Sequence, residues 1–169
     1  MDSFSEKITI NSKIFTLRTV IPSEIDTLAQ IIEEVFTELG WVFVIDDELP
    51  DYVKYNDHYS DPEKNGLFAM ECDGTIIGSI ALKHDGLEPF LSRVYLKKEY
   101  RGYGLGQWMT VCMMDLARKR GHQQIHLWTD TRFEVAHNLY HKVGFVMTRE
   151  IRSLHDVNNS FEWKMSARL

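Results

Sequence analysis

The stretch Leu91–Arg120, LSRVYLKKEYRGYGLGQWMTVCMMDLARKR, decides the fold. Apolar residues alternate at its start as in a strand and recur at helical spacing at its end. Arg101, Gly102, Tyr103, Gly104, Leu105, Gly106 and Gln107 lie at the changeover. A glycine turn feeding a helix N-terminus presents main-chain N–H groups that lack intrahelical partners at the positive end of the helix dipole. Glycine also lets a ligand approach the backbone closely. The turn therefore reads as an anion site suited to a diphosphate. A P-loop would need Gly-Lys-Ser/Thr, but Gln107 and Trp108 follow Gly106. The dinucleotide fingerprint wants a third glycine three places after the second, and Gln107 stands there instead. A glycine turn that merely joins a strand to a helix is the alternative on this motif alone.

Working outward, the spacing predicts a helix from Leu105 to Arg120. Leu105, Trp108 or Met109, Cys112 and Leu116 fall on one face, the last turn is basic, and Gly121 ends it. A strand runs from about Phe90 to Leu96. Before it, Gly66–His84 reads as a hairpin whose Asp73-Gly74 turn suits two positive φ values. Downstream, Gln124–Thr129 is a strand parallel to Phe90–Leu96, because a helical crossover of this length implies parallel pairing. Glu134–Lys142 is a helix closed by Gly144, and Phe145–Arg149 and Phe161–Met165 are terminal strands. At the other end, Ile14–Val20 is the first strand. Pro22 then opens a helix with Ile25, Leu28, Ile31 or Ile32, Val35, Phe36 and Leu39 on its apolar stripe, stopped by Gly40. This order predicts an α/β fold, a single domain over residues 1–169 with a mixed, mostly antiparallel sheet flanked by helices.

Hydrophobic residues make up 44% and charged residues 26% of the 169, which is globular composition. No apolar run approaches a membrane span, and the acidic N-terminus lacks the basic-then-apolar pattern of a secretory signal. A cytoplasmic protein with no membrane partner is expected. The net charge of −6 argues against nucleic acid as a partner. Cys72 and Cys112 have no CxxC spacing and read as reduced thiols.

Arg101-x-x-Gly104-x-Gly106 resembles the acyl-CoA-binding motif of the GNAT superfamily of N-acetyltransferases, Arg/Gln-x-x-Gly-x-Gly/Ala. Ala136-His137-Asn138-Leu139-Tyr140, followed by Gly144-Phe145, resembles that family's second motif, Ala-x-x-x-Tyr then Gly-Phe. The two stand in the family's order with a strand between them. The resemblance implies the GNAT acyl-CoA N-acyltransferase fold and acetyl-CoA as the acetyl donor. It also implies direct attack of an amine on the thioester in a ternary complex. The pantetheine arm would run between two splayed parallel strands and bond the backbone of Val94, Tyr95 and Leu96. A main-chain N–H there can serve the developing oxyanion. The diphosphate would take the amides of Arg101 to Gln107. Tyr140 matches the position that donates to the leaving thiolate, and a phenol of reference pKa about 10 suits a thiol of about 8.5. A core tyrosine is the plainer reading. Asn138 could reach the cofactor from the neighbouring face or simply be a surface residue.

The chain departs from the family at Phe133, where many members have asparagine, and at Phe90, where many have a glutamate base. Glu88 would share the face of Phe90 if the strand extends that far, and is the leading base, with His84 and Glu71 behind it. His137 and His141 share a helix face, but no HExxH or cysteine pair accompanies them and no metal is expected. Trp41–Glu63 holds seven acids, Asp46, Asp47, Glu48, Asp51, Asp57, Asp61 and Glu63, among aromatics and one lysine. It reads either as a solvated acidic loop or as the side that guides a small cationic amine such as a polyamine. The rival functions are a non-catalytic acyl-CoA-binding regulatory module and an enzyme acting on protein N-termini or lysines. The sequence leaves a homodimer open.

Overall fold

In the computed structural model, residues 4–169 are described. A strand not expected from the sequence, β1 (Ser5–Ile10), pairs antiparallel with β2 (Lys13–Thr19) through a turn at Asn11 and Ser12, both with positive φ. All of β1 is exposed or half-buried, so only the short alternation of Ile8 and Ile10 marks it. Pro22 opens a single 3-10 turn rather than the α-helix itself, and Glu24 accepts the Ile21 N–H there at 3.0 Å. Helix α1 (Ile25–Glu38) follows and ends before Gly40 at φ 70°. Three single-turn helices come next, α2 (Ile45–Glu48), α3 (Pro50–Val53) and α4 (Tyr55–Tyr59).

The hairpin of β3 (Gly66–Cys72) and β4 (Thr75–His84) turns at Asp73 and Gly74, with φ 49° and 78° as the dipeptide predicts. Strand β5 (Pro89–Leu96), helix α5 (Leu105–Lys119), strand β6 (Gln124–Asp130), helix α6 (Glu134–Lys142) and strands β7 (Val146–Ser153) and β8 (Phe161–Arg168) complete the chain. Among the described residues eight strands form one sheet in the order β1-β2-β3-β4-β5-β6-β8-β7. Strands β5 and β6 are parallel, through Phe90↔His126 and Leu91↔Leu127, and β6 pairs antiparallel with β8.

The chain falls into two compact units. The first comprises residues up to Ala81 together with Arg93–Leu105. Its core sets Leu28, Ala29, Ile32 and Phe36 of α1 against Leu49 between α2 and α3, Tyr52 and Tyr59 of the short helices, and Leu67, Ala69 and Ala81 of the sheet. Asp51 is buried within this unit at 2% exposure and receives a fork of hydrogen bonds from Arg93, the shortest 2.6 Å from Nη2, plus one from the Tyr59 hydroxyl at 2.5 Å. Arg93 has φ 57°, a left-handed backbone uncommon for a side-chain-bearing residue, and its carbonyl accepts the Ser79 hydroxyl at 2.7 Å.

The second unit comprises Leu82–Ser92 and Gly106–Leu169. Helix α5 turns Met109, Met113 and Ala117 inward at 0% exposure, with Thr110 and Met114 beside them. Leu105 and Met109 of the expected face are in this buried row, whereas its later members are not. Cys112 and Leu116 are half-buried, because the close-packed row starts at Leu105 and continues at every fourth residue. In the first unit, Cys72 is buried, and its thiol pKa is raised by that burial.

Breaking a buried ion pair strands its partner, whereas replacing both members with apolar groups of similar volume is often neutral. Asp51→Ala should therefore cost about 3–5 kcal/mol, and Asp51→Leu with Arg93→Met should recover most of that loss. Urea unfolding midpoints measure both, and equal losses in the single and double variants would contradict this account.

Candidate active site

In the glycine turn, Gly102 and Gly104 have φ 83° and 79°, and an ideal Cβ at either would meet nothing within 4 Å. These are positions that side chains rarely adopt, beside open space, directly before the first turn of α5. Gly106 lies inside that turn, where its carbonyl accepts the Thr110 hydroxyl at 2.8 Å. Tyr103 is 49% exposed, while Leu105 is buried. The Arg101 guanidinium donates to the Leu96 carbonyl at 3.0 Å and to Glu38 at 2.7 Å. The bond from Arg101 holds the Glu38 carboxyl below its usual pKa, and the Arg101 main-chain N–H donates to the Lys98 carbonyl at 3.2 Å.

Strand β5 reaches the turn against Gly78, where a Cβ would stand 2.4 Å from the Tyr95 carbonyl oxygen. Only glycine permits that approach. The Lys97 N–H donates to the Ile77 carbonyl at 2.8 Å, so by antiparallel alternation the backbone of Tyr95 also faces β4. The N–H groups of Val94 and Leu96 lie on the edge away from β4.

On α6, Tyr140 is buried at 7% exposure and packs edge-on against Phe145, with centroids 5.9 Å apart, while Asn138 is exposed. His137 is buried, with Nε2 2.9 Å from the Asp130 carbonyl, and His141 Nδ1 lies 3.0 Å from the Phe145 carbonyl. Each imidazole thus commits a ring nitrogen to the main chain. Among the described residues no group of three or more His, Cys, Asp or Glu is arranged to hold a metal.

The base residues considered from sequence are distributed differently. Glu71 shares Arg18 with Glu24, at 2.8 and 2.7 Å. His84 accepts the Gly86 N–H at 3.0 Å, and its ring lies 5.3 Å from that of His122. Strand β5 begins at Pro89, so Glu88 belongs to the hairpin turn before it and not to the Phe90 face of the strand. There Glu88 accepts the Gln124 side-chain amide and lies 3.5 Å from His126 Nδ1.

His126 was missed from sequence. It is a polar residue within a buried strand, at 4% exposure, stacked on Phe90 at 5.5 Å with a 24° interplanar angle. Its Nε2 lies 3.6 Å from Asp85. Burial, helped by Lys164, holds this imidazole pKa below its ordinary value, against the opposing pull of Asp85 and Glu88. The signal available was its place in QIHLWT, where a histidine interrupts an apolar strand.

Of the seven acids in 41–63, Asp46, Asp47, Asp57, Asp61 and Glu63 are exposed, Glu48 is half-buried, and Asp51 is consumed by Arg93. A cavity of about 460 Å³ is lined by Pro22, Ile25, Tyr52, Lys54, Tyr55 and Asp57, among others.

Residues 26–145 match the Acetyltransferase (GNAT) family, and the chain belongs to it. It is 32% identical over 74 residues to N-alpha-acetyltransferase 30 of Schizosaccharomyces pombe, covering 41% of this chain and 49% of that protein. It is 29% identical over 94 residues to the "Probable N-acetyltransferase camello" of Xenopus tropicalis, covering 54% of this chain and 43% of that protein. The matched regions thus span about half the length of these relatives. The crystal structure of the PaiA N-acetyltransferase from Thermoplasma acidophilum in complex with coenzyme A superposes with TM-score 0.72 at 17% identity, over 92% of this chain and 99% of that one. At that identity the likeness shows the fold. The mixed, mostly antiparallel sheet flanked by helices is the GNAT fold.

Proposed function

We propose that this protein is an N-acetyltransferase that moves the acetyl group of acetyl-CoA to a primary amine by direct attack in a ternary complex. The observation that carries this reading is the pair of left-handed glycines, Gly102 and Gly104, with open space where side chains would stand, at the N-terminus of the fifteen-residue α5. The amides of Gly102–Gln107 take the diphosphate, the Arg101 N–H being already donated to the Lys98 carbonyl at 3.2 Å. The N–H groups of Val94 and Leu96 take the pantetheine and the developing oxyanion. As the C–S bond breaks, Tyr140 donates to the thiolate, and Glu88 is the carboxylate that receives the proton released by the amine. The acceptor is a small cationic amine such as a polyamine. Its alkyl chain lies against Tyr52 and Tyr55, with a distal ammonium near Asp57 and the exposed acids guiding its approach.

A second reading, acetylation of a protein N-terminus, is favoured by the likeness to N-alpha-acetyltransferase 30. A thiol-release assay with acetyl-CoA, comparing polyamines, neutral amines and N-terminal peptides, separates the two. A polyamine acceptor should release thiol with higher catalytic efficiency than neutral amines or N-terminal peptides, and preference for the peptides would favour the second reading. With a polyamine, efficiency should also fall as added salt screens the acids, and Asp46→Asn with Asp47→Asn should raise its KM several-fold more than that of a neutral amine. Equal effects on both acceptors would remove the cationic-amine assignment and leave acetyl transfer standing.

Gly104→Ala should cost about 1–2 kcal/mol of stability, since φ 79° strains any side chain. It should weaken acetyl-CoA binding more than tenfold by calorimetry, and unchanged affinity in the folded variant would refute the diphosphate assignment. Tyr140→Phe should lower kcat by about 100-fold with acetyl-CoA affinity intact, because the hydroxyl acts only as charge develops on sulfur. Lost stability with turnover per bound site unchanged would make Tyr140 a packing residue.

A further inference from the structure

Phe90 and Ser92 alternate onto one face of β5, and the stacking of Phe90 on His126 puts the imidazole on that same face. The parallel pairing of β5 with β6 covers Phe90 and Leu91 and stops there. Ser92 Oγ and His126 Nδ1 are both buried without a hydrogen-bond partner, two unsatisfied polar atoms on one face beside the point where the strands cease to pair. Buried polar groups are rarely left unpaired, and a polar guest would satisfy them. Around the imidazole stand Asp85 and Glu88 from the β4–β5 turn and Lys164 from β8, with His84 acting in turn on Asp85. The Asp85 carboxylate accepts the N–H groups of Leu87 and Glu88, both at 2.8 Å, which keep it ionised. The Glu88 side chain is 32% exposed and opens to solvent.

We propose that His126 is the general base of the acetyl transfer, with Nδ1 the atom that takes the proton from the acceptor ammonium and Glu88 the group that carries it to water. The inference rests on the acetyltransferase reading above. The ammonium gives one proton to Nδ1. The freed nitrogen lone pair attacks the thioester carbonyl carbon, the N–C bond forms and the C–S bond breaks. The thiolate takes the proton of Tyr140, which is replaced by the second proton lost from nitrogen. The imidazolium, steadied at Nε2 by Asp85, passes its proton through Glu88 to solvent, so one proton is released per amide formed. Because burial lowers its pKa, His126 is neutral at pH 7 and able to accept, and the capacity is lost as pH falls through that lowered value.

The test combines kinetics and NMR on the full chain. Wild-type kcat should be level near neutral pH and fall with unit slope through a midpoint below about 6.5, and the His126 Cε1–H resonance should titrate at that midpoint in the acetyl-CoA complex. His126→Gln should lower kcat by about 100-fold at neutral pH, with acceptor KM and acetyl-CoA affinity changed less than about threefold. That loss should shrink as pH approaches about 10 and the free amine deprotonates unaided. Glu88→Gln should give a smaller loss of the same kind. A wild-type enzyme that acetylates amines while His126→Gln retains full kcat, or loses it equally at every pH, overturns this inference alone. So does a His126 midpoint at or above about 6.5, or one unmatched in the kcat profile, which keeps the test decisive if the variant does not fold. A wild-type protein that binds acetyl-CoA and consumes none with any amine overturns the acetyltransferase reading together with this one.

Discussion

Arg93 is where the chemistry of this chain is anchored to its fold. Its backbone is left-handed at φ 57°, its carbonyl is fixed by Ser79, and its guanidinium is forked onto the buried carboxylate of Asp51. A non-glycine residue in that conformation persists only where the surroundings over-determine it. Here they do so from two directions, the β4 hydroxyl on the backbone and α3 on the side chain. Just after Arg93 come Val94 and Leu96, whose N–H groups the proposed reaction uses. Ion pairs of this kind contribute little net stability, so the geometry they impose is the more informative consequence.

Gly78 makes the complementary contribution. By removing a Cβ that would stand 2.4 Å from the Tyr95 carbonyl, it lets β5 close onto β4 just past Arg93. Close pairing on that edge, with Lys97 donating to Ile77, directs the other N–H groups of β5 outward. A main-chain donor held by a sheet needs little reorganisation when charge develops, which is the property an oxyanion contact requires.

Local chemistry was legible in the sequence wherever one residue type settles a backbone conformation. Asp73-Gly74 announced its hairpin turn with positive φ, Gly102 and Gly104 a turn before α5, and the ends of α6 fell at Glu134 and Lys142 as expected. Strand β1 was not legible because it buries almost nothing, and periodicity is a signal of burial. Asp51 looked like one more acid in an acidic loop. Only the fold brings Arg93, 42 residues away, onto it. His126 failed to stand out for the same reason, since Asp85 and Glu88 approach it from another segment. Long-range pairing of charges is what a linear pattern cannot express.

Those two pairings also bear on how an acidic protein would serve the cationic amine proposed as its acceptor. Carboxylates free in a binding cleft would hold an ammonium in its charged, unreactive form, because an adjacent opposite charge raises its pKa. In this chain Asp51 is neutralised by Arg93, and Asp85 and Glu88 lie at either side of an imidazole. The acids left exposed, Asp46, Asp47, Asp57, Asp61 and Glu63, are on the segment that approaches solvent. Under the proposed function, attraction at a distance would raise the encounter rate and hold a remote ammonium, while the reacting nitrogen would meet a histidine able to take its proton. Steering and deprotonation make opposite demands on charge, and assigning them to different carboxylates would let one chain meet both.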